Sequence, residues 1–247
     1  MRFVIINADD FGLSDGINRG VIQSFEGGIV TSASLMVHQA AAEAAAHYAK
    51  QEPRLSLGLH LDFGEWLFAH GEWVQLYSVV HSNEPNAFAD EVENQLAEFR
   101  RLVGREPTHM DSHQHLHREE PIRSLVLAAA RRIGVPVREY SAIPYCGDFY
   151  GQTDEGESLP DALSVRNLKQ ILATLPPGLS ELSCHPGYRD GLSNAYAAER
   201  ELEVYTLCSA EIRTALATLG IQLCSFETAP LSLIATEQSM AGKLACH

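Results

Sequence analysis

Apolar and polar positions along the chain fall into two alternating periods. Short runs rich in apolar and β-branched residues occur at RFVIIN (2–7), IVTSASLMV (29–37), LSLGLHL (55–61), THMDSH (108–113), VPVREY (135–140), LSELSCH (179–185) and IQLCSF (221–226). Runs of this length bounded by turn residues predict strands. Helical patterns lie between most of them. Ser14 can cap 15–26, which Gly27 and Gly28 end, and 39–50 is alanine-rich. The pattern at 87–103 stops before Gly104, and that at 121–133 opens on Pro121 and stops before Gly134. Two more cover 164–175 and 194–219, the latter ending before Gly220.

Seven strands alternating with helices imply right-handed βαβ units and a parallel sheet. Neither GxGxxG nor a Walker motif follows the first strand, which removes the usual nucleotide signature of an open sheet. Polar residues of functional type sit near strand ends, as at the C-terminal mouth of a βα barrel. The expected fold is an α/β, TIM-barrel-like (β/α)7 barrel built as one domain over 1–247. Two irregular stretches, 64–86 and 141–163, are rich in aromatic, Gly, Pro and acidic residues and read as functional lids.

Charge and cysteine usage narrow the partners. The net charge is −14 with no lysine- or arginine-rich run, which argues against a nucleic-acid partner. No apolar stretch reaches the length of a membrane span, and the N-terminal MRFVIINADDFG is unlike a signal peptide. Five cysteines, an odd number without a CxxC pair, disfavour both a disulfide framework and a cysteine zinc site. A reducing cytoplasm fits this pattern.

The densest chemistry is THMDSHQHLH (108–117), with His109, Asp111, His113, His115 and His117 all at odd positions. The stretch reads as a strand entering a loop, so His109, Asp111 and His113 share one face. His115 and His117 keep that parity only while the chain stays extended; solvated histidines at a polar strand end are the bland alternative. Two other strand ends can join this one. The first runs into Asp9 and Asp10, whose side chains diverge on extended backbone and so take different roles, unless the segment is a plain turn. The third carries His60 among apolar neighbours, where a buried core histidine is the alternative. Two histidines and a carboxylate from three strands make a site for Zn²⁺ or another divalent ion. His185, before the Pro186-Gly187 turn, can face the same mouth. Cys184 beside it points the other way, which discounts a Cys–His dyad. Arg138, next to Glu139, either orients a carboxylate or forms a structural ion pair.

NADDFGLS (7–14), GIVTSASLMV (28–37), GLHLD (58–62), THMDSHQHLH (108–117) and CHPGY (184–188) resemble the motifs of the YdjC-like carbohydrate deacetylases, which include chitooligosaccharide deacetylase. The resemblance covers most of the chain, including AAERELEVYTL and GIQLCSF near its end. It implies a distorted seven-stranded βα barrel, often dimeric, with one divalent ion. By motif match Asp10, His60 and His113 would ligate the ion, Asp9 would be the general base and His185 the general acid. The loop GEWLFAHGEWVQLYSVV (64–80) matches no family motif, which leaves the substrate more open than the chemistry.

The implied reaction is hydrolysis of an acetamide on a small N-acetylated saccharide, diacetylchitobiose or a short oligosaccharide. Asp9 would take a proton from water activated by the ion, and protonated His185 would donate to the departing amine. Asp111 could fix a histidine tautomer. Trp66, Phe68, Trp73 and Tyr77 could stack on sugar rings or simply hold their loop down. His115, Arg138 and Tyr188 complete the residues that could support the site or touch substrate. The ion would be Zn²⁺ or Mg²⁺, with Mn²⁺ or Co²⁺ acceptable to the same donors. The expected partners are the saccharide and a second copy of the chain, with neither nucleic acid nor membrane. Two other classes remain open: a barrel phosphoesterase or amidohydrolase using 113–117 in a two-metal cluster, and a non-catalytic sugar-binding or regulatory protein.

Overall fold

The computed structural model describes residues 1–69, 71–81, 85–189 and 196–230. At its centre is β1 (Arg2–Phe11), buried from Val4 onward. A strand covered on both faces reads as a continuous apolar run, as RFVIIN does. One edge of β1 pairs along residues 2–8 with β8 (Gly178–Cys184). The other edge is shared: β9 (Ile221–Cys224) takes residues 2–5, and β2 (Ser32–Leu35) takes over from Asn7. Beyond β2 follow β3 (Ser56–Leu61) and β6 (Met110–Ser112), and Met110 adds a parallel bridge to Val137. On the far side of β8 lies β7 (Tyr145–Cys146).

All these pairings are parallel, and together they curl into the expected distorted (β/α)7 barrel. The ring positions are β1, β2, β3, β6, the Val137 bridge, β7 and β8. Among the described residues no ladder joins Val137 to β7, so the barrel is incomplete there. Two of the seven predicted strands differ from this ring. The one at 135–140 shrinks to the Val137 bridge, since Glu139 turns into the left-handed region at φ 65. The one at 221–226 forms β9 but lies outside the ring, and β7 takes the vacated place. The stretch after residue 63 is also more regular than expected. It folds into an antiparallel hairpin of β4 (Gly64–Ala69) and β5 (Glu72–Ser78).

Seven α-helices cover the sheet among the described residues: α1 (Asp15–Glu26), α2 (Ala42–Gln51), α3 (Pro85–Val103), α4 (Ile122–Ile133), α5 (Val165–Thr174), α6 (Ala197–Leu207) and α7 (Ala210–Leu219). Ser14 caps α1 by accepting the Ile17 N–H at 3.2 Å. The single helix expected over 194–219 is two. Ser209 accepts the Glu211 N–H and starts α7 afresh, while 194 and 195 lie outside the described residues. Helix α1 approaches the Pro186-Gly187 turn so closely that a Cβ on Gly20 would lie 2.4 Å from the Gly187 Cα. A continuous core built on Ile6, Val21, Leu57, Phe99, Val126 and Leu182 joins sheet to helices. No helix among the described residues is long and apolar enough to cross a membrane.

Candidate active site

The C-terminal end of β1 departs from regular strand geometry. Its register against β2 slips between Ala8 and Phe11, and Asp10 adopts φ 64. On a straight strand Asp9 and Asp10 would diverge. The bulge instead brings both carboxylates into one buried cluster, so the expected division onto opposite faces does not hold. Asp10 Oδ1 lies 3.3 Å from His60 Nε2 and 3.0 Å from His113 Nδ1. Its Oδ2 accepts a 2.6 Å hydrogen bond from Arg200.

His60 belongs to β3 and its Nδ1 faces Asp111 Oδ1 at 2.8 Å, which fixes the ring and its tautomer. Burial works against charging His60, yet Asp111 and Asp10 together push it up to about 10. Burial also opposes ionisation of Asp10, but Arg200 and His113 hold it well below the usual carboxylate range. Asp9, Asp10 and Asp111 are three buried carboxylates against two buried guanidiniums, Arg138 and Arg200. A charged His60 balances them, and a bound cation would take the place of its proton. Donors held about 2.0–2.2 Å from one ion lie roughly 3–3.5 Å from each other. The Asp10–His60 and Asp10–His113 separations match, and one ligand atom from each of the three residues lies within 4.8 Å of the others. The residues fit a divalent ion.

Asp9 stands beside this triad. Arg138 grips it with two hydrogen bonds, NH1 to Oδ2 at 2.6 Å and NH2 to Oδ1 at 2.8 Å. Asn7 donates to the same Oδ1 at 2.8 Å. Burial would raise Asp9, but Arg138 prevails and lowers it. Arg138 also pairs with Asp111 at 2.8 Å and with Glu181 at 2.7 Å, so one guanidinium spans β1, β6 and β8. Arg138 thus holds the Asp9 carboxylate in place and lies in a buried ion-pair network. His185 Nε2 lies 3.7 Å from Asp9 Oδ2. Burial, aided by Arg200 and Arg138, pushes His185 down to about 4, so its imidazole is neutral at pH 7.

The other candidates divide. His109 shares its face with Asp111, and both contact the Ser34 hydroxyl, His109 at 3.0 Å and Asp111 at 2.7 Å. His109 also explains Gly58 in the GLHLD motif: a Cβ there would sit 2.3 Å from the His109 ring. The odd-position parity ends at His113, because Gln114 and His115 take left-handed backbone, φ 51 and 55. His115 thereby leaves the Asp10 cluster for Tyr145 and Glu139. Trp66 on β4 is clasped at both backbone groups by the Gln114 side chain, at 2.9 and 2.6 Å. Tyr77 uses its hydroxyl internally, donating to Asp62 at 3.0 Å. Phe68 packs edge-on against Trp73, which is 59 % exposed. Tyr188 is not brought to the cluster, because its hydroxyl donates to Gln23 of α1.

Sequence reasoning missed Arg200, Glu203, Tyr196 and Tyr150. Tyr150 and Tyr196 stack on each other at 4.7 Å and wall His185 edge-on. Glu203 accepts the His185 backbone N–H and, at 2.6 Å, the Tyr196 hydroxyl. Burial raises Glu203 to about 8, against the pull of Tyr196 and the His185 amide. Arg200 and Glu203 are three apart on α6, so they share a helix face. In AAERELE that pattern looks like any solvated charged turn.

Residues 3–218 match the family model described as YdjC-like protein. The chain is 34 % identical to the chitooligosaccharide deacetylase of Serratia marcescens, covering 92 % of this chain and 98 % of that one. It is 30 % identical to the carbohydrate deacetylase of Geobacillus stearothermophilus, covering 91 % and 97 %. Among solved structures it superposes on a protein of Enterococcus faecalis V583 named for cellobiose-phosphate cleavage, with TM-score 0.76, 24 % identity and coverage of 92 % and 98 %. A family 4 carbohydrate esterase from Streptomyces lividans in complex with acetate shares the fold at TM-score 0.55 and 13 % identity, with 91 % of each chain covered. The barrel, the strand-end motifs and these relatives agree: the chain belongs to the YdjC-like family.

Proposed function

We propose that this protein is a metal-dependent hydrolase that removes the acetyl group from a small N-acetylated saccharide. The observation that carries the reading is the Asp10–His60–His113 set with Asp9 fixed beside it by Arg138. The named relatives, deacetylases of chitooligosaccharide and of carbohydrate, supply the substrate class. Asp10, His60 and His113 would hold a divalent ion, which when bound would polarise the acetyl carbonyl and acidify the attacking water.

The remaining work belongs to this chain's own side chains. Asp9 Oδ2 accepts one hydrogen bond from Arg138, which leaves a lone pair to take the proton of the attacking water. Arg138 keeps the carboxylate oriented and ionised until then. His185 enters the cycle neutral, so it must gain a proton before giving one to the departing amine. Asp9 Oδ2, 3.7 Å away, is the nearest carboxylate oxygen that could hand it on. Asp111 holds His60 in one tautomer through Nδ1. Tyr150 and Tyr196 pack edge-on against the His185 ring and hold it in place.

The ion is Zn²⁺ or Mg²⁺ on this reading, with Mn²⁺ or Co²⁺ as replacements. The substrate is diacetylchitobiose or a short oligosaccharide, and the enzyme is a cytoplasmic homodimer. Free thiols at Cys146, Cys184, Cys208 and Cys224 suit that compartment. The test is acetate release from N-acetylglucosamine, diacetylchitobiose and longer chitooligosaccharides by chelator-stripped protein, before and after each ion is restored. Ion-dependent acetate from one sugar is the expected result. Silence across the panel with ion bound would sink the substrate assignment and return the phosphoesterase and binding-protein readings to first place.

A further inference from the structure

His115, His117 and Glu139 form a group separate from Asp10, His60 and His113 and take no part in the chemistry above. Their nitrogen and oxygen atoms nonetheless converge, with one donor from each within 4.8 Å of the others. His115 Nδ1 is 3.6 Å from Glu139 Oε1. His117 is fully buried, and both His115 Nδ1 and His117 Nε2 lack any hydrogen-bond partner among the described residues. A buried polar atom without a partner costs about 1–3 kcal/mol, and two in one such group require an account.

The opposite nitrogen of each ring is already engaged. His117 Nδ1 meets the Ser112 hydroxyl at 2.7 Å, and Ser112 Oγ also accepts the His117 backbone N–H at 2.9 Å. His115 Nε2 faces the Tyr145 hydroxyl at 3.3 Å, and Tyr145 bonds onward to Ser183 at 2.8 Å. An imidazole whose one N–H is spent on a hydroxyl presents a bare lone pair at the other nitrogen, the usual preparation of a metal-binding histidine. Of the four non-glycine residues with left-handed φ among the described residues, His115 and Glu139 belong to this cluster and Gln114 adjoins it. The fourth is Asp10.

We propose that His115 Nδ1, His117 Nε2 and a Glu139 carboxylate oxygen form a second metal site for a transition-metal dication of the Zn²⁺ type, separate from the Asp10–His60–His113 site. Two imidazoles and one carboxylate are a donor set that Zn²⁺ accepts with a fourth position left to water. Glu139 is not idle in the absence of the ion, since Arg118 grips it through Nε at 2.7 Å and through NH2. The ion therefore competes with a guanidinium, which makes this the weaker of the two sites.

The competition gives the proposal a signed test. Chelator-stripped full-length protein is titrated with Zn²⁺ and, separately, with Co²⁺, reading metal content after gel filtration and the Co²⁺ visible absorption. Wild-type protein should take up two equivalents. His117→Gln and Glu139→Gln should each lose the weaker equivalent and keep the tighter one. Asp10→Asn should do the reverse, so failure here is distinguishable from failure of the deacetylase reading. Glu139 is partly exposed, and its variant remains informative should the His117 variant fail to fold. Arg118→Gln frees the carboxylate and should tighten the weaker site by roughly threefold to fivefold, the scale of one partly exposed ion pair. One equivalent in the wild type, or a second that survives both His117→Gln and Glu139→Gln, would overturn the proposal. So would an Arg118→Gln variant that binds the second ion more weakly.

Discussion

The mouth of the barrel and the β4–β5 hairpin stand next to each other and are built on opposite terms. In the mouth, each charged side chain is buried and held from several directions. Arg138 reaches Asp9, Asp111 and Glu181, and Asp10 meets His60, His113 and Arg200. In the hairpin, Glu72 to Leu76 of β5 are all exposed, and a Gln114 clasp and the Tyr77–Asp62 bond tie the strands down. A misplaced group in the mouth leaves a buried charge without its partner, whereas a changed residue on the hairpin alters only what the rim offers. Fixed chemistry beside an adaptable rim is what one reaction on several related sugars would require.

The largest effect that would break this contrast is expected at Asp9. Asp9→Asn preserves size but removes the proton acceptor, so kcat should fall by about 10²–10⁴-fold. Bound metal, measured by elemental analysis, should stay unchanged, because Asp9 is outside the proposed ligand set. Retained turnover would remove Asp9 from the mechanism.

Arg138→Leu comes next and is read as stability. Three buried carboxylates lose their shared guanidinium, and breaking a buried pair in this way costs about 3–5 kcal/mol. Urea unfolding should show that loss. A change below about 1 kcal/mol would mean the carboxylates are held by other means, and the mouth would then be no more tightly determined than the rim.

What the sequence discloses follows the same division. Alternation placed His109 and Asp111 on one face, and strand-end positions gathered His60 and His113 at Asp10. Those are local rules applied to regular backbone. They stop applying where the backbone departs from regularity: at the Asp10 bulge, at left-handed Gln114 and His115 where the extended run ends, and at Glu139, which cuts the predicted 135–140 strand to one bridge. Arg200 and Glu203 were invisible for a different reason. Nothing in AAERELE says which charges face the barrel, since that depends on how α6 is docked. The hairpin was passed over because GEWLFAHGEWVQLYS lacks a two-residue Asn-Gly turn and carries charges at both strand starts.

A smaller effect separates buried histidines from the rim by pH. Burial pushes His109 down to about 4, against an ordinary value of 6.5. Between those values the unfolded chain binds a proton that the folded one refuses, so stability is full above pH 6.5 and falls as pH drops towards 4. His185 and His117, lowered to about 4 as well, act in the same direction. Each such histidine adds a slope of up to about 1.4 kcal/mol per pH unit. His109→Asn should remove one share of it, seen by comparing urea midpoints at pH 6.5 and 4.5 in both proteins. Equal slopes would mean that His109 is not held neutral.

The smallest expected change in stability lies at Trp73, and it sharpens the contrast most. The side chain is 59 % exposed and its ring contact is with Phe68 of the facing strand, so Trp73→Ala should move unfolding by no more than about 0.5 kcal/mol. If the hairpin serves the sugar, the cost appears in binding instead. Loss of one aromatic stacking surface is worth about 0.5–1.5 kcal/mol, or roughly twofold to tenfold in KM. The rise should be seen with diacetylchitobiose and longer oligomers, with kcat unchanged. N-acetylglucosamine, which has no second ring to reach the rim, should be unaffected. An equal loss on the monosaccharide would place Trp73 in the mouth rather than on the rim. A large loss of stability would show instead that the hairpin is part of the fold, and the division between fixed mouth and adaptable rim would have to be redrawn around β4 alone.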